Sequence, residues 1–188
     1  MAITRIGGAN AITGTIPQGN IANASLGAVT ALPAAITTGK VLQVVTATST
    51  TRKETTGTSF VDTNLSASIT PSATSSKIFM SCTQIIQVYN TGSAFAAGRW
   101  KIVQTIGGSD TAVIDGGESG GGNVFIYDYG NSGLNFYRPT NYSLLLSPST
   151  TSAITFKTQI CLGSNGGTQI NAVDDKDKGS FVLMEVAG

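Results

Sequence analysis

The side chains able to do chemistry are few, and their spacing narrows the choice further. Four carboxylates fall in one region of the chain: Asp110, Asp115, Glu118 and Asp128. Two of them could serve glycoside hydrolysis, one protonating the leaving oxygen while the other acts as nucleophile or base. They fall in turns and a glycine loop, segments that hold a catalytic geometry poorly. The chain has no His, so an ordinary Ser-His-Asp triad is ruled out. A second group, Asp174, Asp175 and Asp177, offers the hard oxygen ligands that Ca²⁺ takes. It lacks the spacing and the distant Glu of an EF-hand, and Lys176 and Lys178 offset its charge, so a solvated turn is the better account. Gly116–Gly122 holds five Gly in seven residues, but no Gly-Lys-Ser/Thr follows and no helix is expected after it, which argues against a phosphate loop. The expectation is a protein with no catalytic residues, no metal and no cofactor, built to pack and to bind.

Binding chemistry is better represented. Phe125, Tyr127, Tyr129, Phe136, Tyr137 and Tyr142 make an aromatic-rich centre. Tyrosines stack on sugars and fill protein interfaces, so Tyr127, Tyr129 and Tyr137 are candidates for receptor or interface contact, with core packing as the competing assignment. Trp100 is expected in the core, with Arg99 and Lys101 pointing outward on either side of it.

Charged residues make up 11% of the chain, for a net charge of +1 and a pI near 7.7. That balance provides no footprint for nucleic acid and no attraction to an anionic membrane. It also removes one usual guard against self-association, which points to a homo-oligomer whose subunits cover each other's surface. No segment approaches the ~20 apolar residues of a membrane span, and no basic start followed by an apolar block marks a leader. Cys82 and Cys161 fall at opposite parities of two strand-like runs, which argues against a disulfide.

The elements that must position these residues are β-strands. From Lys40 onward, short runs recur about every 8–15 residues with Gly, Pro, Ser or Asn between them, and none holds helical periodicity for long. Leu65–Thr70 alternates Leu65, Ala67 and Ile69 against Ser66, Ser68 and Thr70. Ala153–Leu162 alternates Ile154, Phe156, Thr158, Ile160 and Leu162 against Thr155, Lys157, Gln159 and Cys161. Thr48–Gly57 reads as a loop or a twisted edge strand, and Gly107–Asp110 as a tight hairpin turn. In Lys77–Tyr89, Ile78, Met80 and Cys82 face one way and Ile85 the other, which predicts a bulge. Leu134–Tyr137 and Tyr142–Ser147 read as two strands, the first capped by Pro139. The pattern predicts an all-β, antiparallel β-sandwich or jelly roll over residues 40–188.

Residues 1–39 have a different texture. Small residues dominate, and single large apolar ones recur at loose intervals, among them Ile12, Ile16, Ile21, Leu26 and Leu32. This spacing closes no core of its own. It predicts an extended N-terminal arm that docks those five residues on a neighbouring protein and reaches roughly 130 Å if fully stretched.

Three stretches resemble the terminal module of tail-fibre-like virion proteins of marine bacteriophages, including those infecting cyanobacteria. They are Gly39-Lys40-Val41-Leu42-Gln43-Val44-Val45, the run Leu65-Ser66-Ala67-Ser68-Ile69-Thr70-Pro71-Ser72-Ala73-Thr74-Ser75-Ser76-Lys77-Ile78, and Phe181-Val182-Leu183-Met184-Glu185-Val186-Ala187. Upstream, Gly19-Asn20-Ile21-Ala22-Asn23-Ala24-Ser25-Leu26 is similar to the linker before that module. The resemblance implies a β-sandwich displayed on a virion, often trimeric, made in the host cytoplasm and attached to other virion proteins through the arm. A tail-fibre or appendage component is the leading role it implies, with a host surface glycan as candidate receptor. A capsid decoration (cement or head-fibre) protein is the alternative, and a carbohydrate-active enzyme a more distant one.

Overall fold

The computed structural model describes residues 41–91, 95–114, 124–129, 133, 135–163, 168–172 and 178–188; at 95–96 and 124–129 it describes the backbone alone. All these residues fall within one compact unit, Gly39–Gly188. The arm candidates Ile12, Ile16, Ile21, Leu26 and Leu32 lie outside the described residues. So do the Asp174, Asp175 and Asp177 group, the Gly116–Gly122 loop with Glu118, and Asp115.

Eleven strands occur among the described residues: β1 (Val41–Ser49), β2 (Lys53–Thr55), β3 (Val61–Ile69), β4 (Lys77–Tyr89), β5 (Phe95–Ile106), β6 (Ser109–Ala112), β7 (Val124–Tyr129), β8 (Asn135–Leu146), β9 (Ile154–Leu162), β10 (Gln169–Ala172) and β11 (Gly179–Val186). Every pairing is antiparallel. One sheet has six strands in the order β1-β11-β4-β10-β2, with β8 along the other side of β4. The other has five, β3-β9-β5-β6, with β7 also on β5. The expected all-β antiparallel sandwich is what the described residues form.

Two long strands organise the two layers. β4 pairs β11 through Lys77–Thr83 and β10 through Ile86–Tyr89, while β8 runs beside nearly its whole length. β5 plays the same part in the five-stranded sheet, with β9 on one side and β6 and β7 on the other. Their inward side chains meet in one core. Ile78, Met80, Cys82, Ile86 and Val88 of β4 pack with Trp100 and Ile102 of β5, Phe156 and Ile160 of β9, and Phe181 and Leu183 of β11. The alternation read from Leu65–Thr70 and Ile154–Leu162 places the predicted apolar members inside. Trp100 is fully buried, and its indole Nε1 donates to Gln84 Oε1 at 2.9 Å, which satisfies both polar atoms between the sheets. Lys101 points outward, its Nζ 4.1 Å from the Phe60 ring centroid.

Local readings are corrected at three places. β4 has no bulge: its register with β8 is continuous, and Ile85 sits on the outer face opposite Pro139. Leu134–Tyr137 and Tyr142–Ser147 are not separate strands. β8 runs unbroken through Pro139, because among the described residues it pairs only with β4 and a Pro is tolerated on an edge. The bulge lies instead in β3, whose register with β9 shifts between Asp62 and Ser66. The Gly107-Gly108 turn is a tight hairpin as expected, both glycines having positive φ (59° and 83°), which suits a two-residue primed turn. Cys82 and Cys161 are both free.

Candidate functional site

The outer face of the six-stranded sheet divides into two ends of different chemistry. At one end the register brings four apolar side chains into a row. Val44 of β1 pairs Met184 of β11, Met184 pairs Phe79 of β4, and Phe79 pairs Leu145 of β8. Val44 is 54% exposed and Leu145 50% exposed. Leu42 and Val41 extend the patch, because β1 is irregular between Val41 and Gln43 and both stay in solvent. The rows beside it are hydroxyl and amide. Ser143 donates to Ser81 at 2.8 Å, and Thr83 donates to Asn141 Oδ1 at 2.6 Å. On these four strands the one charged side chain turned to this face is Lys77, at the margin.

At the other end the face is an amide ladder. The register sets Glu54, Asn171, Gln87 and Tyr137 side by side across β2, β10, β4 and β8. Gln87 Nε2 donates to Asn135 Oδ1 at 2.6 Å and to the Tyr137 hydroxyl at 3.0 Å. The Asn171 amide lies 2.6 Å from Gln87 Oε1 and 3.0 Å from Gln169 Nε2, and the Arg52 guanidinium comes within 3.0 Å of it. Gln169 also donates to Glu54 at 2.7 Å, and Arg52 pairs Glu54 at 3.1 Å. Gln87 and Asn171 are buried in this network, while Tyr89 and Tyr137 stay 36% and 42% exposed above it.

One ionised group is sequestered at the end of the sandwich. Glu185 shares the inward parity of Phe181 and Leu183 and is buried. Its Oε1 accepts from the Ser72 N–H, the Ser72 hydroxyl and the Ser76 hydroxyl, and its Oε2 accepts from Gln43 Nε2. Burial alone would raise its pKa, but the bonds from Ser72, Ser76 and Gln43 outweigh it and hold the carboxyl at about 2. Gln43, Ser72, Ser76 and Glu185 come from the three stretches that carry the phage-module resemblance, so those stretches converge on one structural knot.

The five-stranded sheet carries its charges on its outer face. Lys157 bridges Asp62 and Asp110 at 2.9 Å each, and Gln159 donates to Asp62 at 2.6 Å. Hydrogen bonds from Thr105 and Lys157 hold the Asp110 carboxyl below its ordinary range. Asp110 thus works as an ion-pair partner, and a carboxyl lowered in this way is a poor proton donor. Of its proposed neighbours in a hydrolytic pair, Asp115 and Glu118 lie outside the described residues, as does the side chain of Asp128.

Among the sequence-predicted binding residues, Tyr137 is exposed on the outer face, beside Gln87. The side chains of Tyr127 and Tyr129 lie outside the described residues. Tyr142 faces inward, packed against the core. Sequence reasoning missed Tyr89, Gln87, Gln169 and Asn171. The parity of Gln87 and Tyr89 against Ile86 and Val88 was the available signal; the pairing that adds Gln169 and Asn171 spans some eighty residues of sequence and left no local trace.

No family model matches the chain, and no curated protein matches it. Among solved structures it is similar to Eiger TNF from S. frugiperda, at 9% identity and TM-score 0.30 over 58% of this chain and 59% of that one. It is also similar to the infectious bursal disease virus VP2 subviral particle, at 17% identity and TM-score 0.34 over 77% of this chain and 37% of that one. The Gx strain of the same virus gives 15% identity and TM-score 0.36 over 78% and 37%. The chain matches less than two thirds of the length of each. These likenesses are low in identity and in superposition, and the fold stands on its own strand pairing.

Proposed function

We propose that this chain is a structural protein of a bacteriophage virion, a surface-displayed β-sandwich that assembles with copies of itself and works as a tail-fibre or appendage component. The observation that carries the reading is the Val44–Met184–Phe79–Leu145 row, a solvent-facing apolar band with hydroxyl rows beside it. A face that meets its own copy must avoid like charges, and this one has a single charge, at its margin. Hydroxyls both donate and accept, so the Ser81–Ser143 row can complement itself. The resemblance in three sequence stretches supports the virion setting. In this reading residues 1–39 are the anchor, with Ile12, Ile16, Ile21, Leu26 and Leu32 seated on other virion proteins, and many copies turn modest affinity into lasting attachment.

The test is a reconstruction of the particle with this chain located in it. Density on a tail appendage, in copies that touch through β1 and β8, is the expected result. Density over the capsid shell replaces the appendage role with decoration, and absence from purified particles overturns the reading. Deleting residues 1–36 should release a folded oligomer from the particle; retention would refute the anchor.

A further inference from the structure

We propose that the Tyr89–Tyr137 end of the six-stranded sheet is a binding site for a neutral saccharide. Tyr89 pairs with Asn135, and Tyr137 lies two residues further along β8, so the two rings are diagonal neighbours on one face. The backbone positions of such neighbours stand roughly 7–8 Å apart, within reach of one another's aromatic side chains, so one short oligosaccharide can meet both rings. Both rings are exposed enough to offer an apolar surface to the C–H side of a pyranose.

The polar surface beside them fits the same ligand. A sugar presents neighbouring hydroxyls, each both donor and acceptor, and primary amides match that pattern with a donor and an acceptor in one plane. Two amides reach solvent at this end, Asn135 and Gln169, next to the Glu54 carboxylate, whose side chain is 60% exposed, and they hydrogen-bond the buried Gln87 and Asn171 amides beneath them. Their mutual hydrogen bonds fix their rotamers before any ligand arrives, which lowers the entropy lost on binding. The platform is also held from behind. Thr168 N–H donates to the Tyr89 carbonyl at 2.8 Å, and Gly133 N–H to the Asn90 carbonyl at 3.0 Å.

Charge selects within the sugar class. Arg52 and Glu54 neutralise each other, so sulfated or phosphorylated glycans and nucleic acid gain little here. The contrast with the opposite end of the same face is informative. There the outward rows of β4 and β8 carry Phe79 and Leu145, the hydroxyls of Ser81, Thr83 and Ser143 and the Asn141 amide, with no tyrosine among them, chemistry that suits protein contact. The proposal adds a ligand class to the reading above without depending on particle location, so failure to bind sugar leaves the virion assignment standing, and the reverse.

The test is saturation-transfer NMR on the full chain with three neutral probes at millimolar concentration: maltotriose, cellotriose and a trimer of N-acetylglucosamine. At least one probe should give signals on its ring C–H protons. Tyr89→Ala and Tyr137→Ala should each weaken its binding about tenfold or more, Tyr89→Phe should retain most of it, and Leu145→Ser at the far end should leave it unchanged. Both tyrosines are solvent-exposed, so the variants should fold, as circular dichroism will verify. No signal from any probe overturns the proposal. So does binding indifferent to both alanine substitutions, or loss of the oligomer in those variants without any sugar contact, which would mark this end as a subunit interface.

Discussion

Glu185 of β11 accepts two hydrogen bonds from Ser72, one from its backbone N–H and one from its hydroxyl, both at 2.6 Å. The pair ties the last strand to the β3–β4 turn, and Gln43 brings β1 into the same knot. A buried carboxylate is tolerated here because both oxygens are filled by donors rather than by a single counter-ion. Ser76, itself buried, adds a third bond to the oxygen that Ser72 uses, at 2.7 Å.

Stability should therefore fall in acid. The Glu185 carboxyl titrates at about 2 in the folded chain against 4.5 ordinarily. A carboxyl depressed by folding stabilises above its unfolded pKa, and the contribution is lost as pH drops from about 4.5 toward 2. Urea midpoints measured from pH 6 down to pH 2.5 should decline across that window. Glu185→Gln should flatten the decline and destabilise at pH 6 by about 1–3 kcal/mol, since the three hydroxyl and N–H donors lose a charged acceptor. An equal acid slope in the variant would assign the effect to other groups.

At Gly98 side chains of the six-stranded sheet press close against the β5 backbone. A Cβ there would lie 2.5 Å from Ile170 Cδ1 and 2.8 Å from Val88 Cγ2, so side chains of the six-stranded sheet occupy the space the glycine leaves. Gly98→Ala must push β5 and β10 apart or force both side chains off their rotamers, at about 1–3 kcal/mol. Gly107→Ala, with nothing within 4 Å of its Cβ, meets only the strain of φ +59°. Thermal unfolding of both variants compares crowding with backbone strain, and a Gly98→Ala protein as stable as the parent would mean that this interface has slack.

The two cysteines should be slow to alkylate in the folded protein. Burial pushes the Cys82 thiol far above its ordinary value. Burial also raises Cys161, with Arg99 and Lys101 partly offsetting it. Since the thiolate is the reactive form, iodoacetamide at pH 8 should label neither at a rate near that of the urea-unfolded chain. Mass spectrometry that found Cys82 labelled quickly in native buffer would show that the core opens there.

What the sequence made legible was the layer structure. Leu65–Ile69 and Ile154–Ile160 alternate because one face of each strand is buried, and burial is what leaves a period of two. Where burial and chain order part, the reading failed. Pro139 looked like a stop because a proline interrupts most strands; on an edge its missing N–H has no ladder partner to lose. Ile85 looked like a slip in parity because an isoleucine was assumed to face the core, yet it packs outward against Pro139. Glu185 carried no signal at all: in a closing apolar strand it reads as a surface residue, and its three partner residues are contributed by distant turns and strands. The amide ladder was hidden for the same reason, since Gln87 and Asn171 become neighbours only through the β4–β10 pairing.

The apolar row yields the sharpest functional prediction. Val44 and Leu145 lie at the two ends of a register-matched line, half exposed, with Met184 and Phe79 between them. Fully burying such a side chain is worth about 1.5–3 kcal/mol, so even half of that at each end holds a meaningful share of a contact repeated in every copy. A carboxylate placed there would have to be desolvated in the contact without a cationic partner. Leu145→Asp should leave the sandwich folded, because the side chain points away from the core, and should shift self-association by about a hundredfold or more. Light scattering on the full chain across a dilution series gives the shift directly. Thr46→Asp, which puts the same charge one outward position along β1 from Val44, should weaken assembly less if the contact centres on the apolar row. A Leu145→Asp protein that assembles like the parent would move the subunit contact off this face.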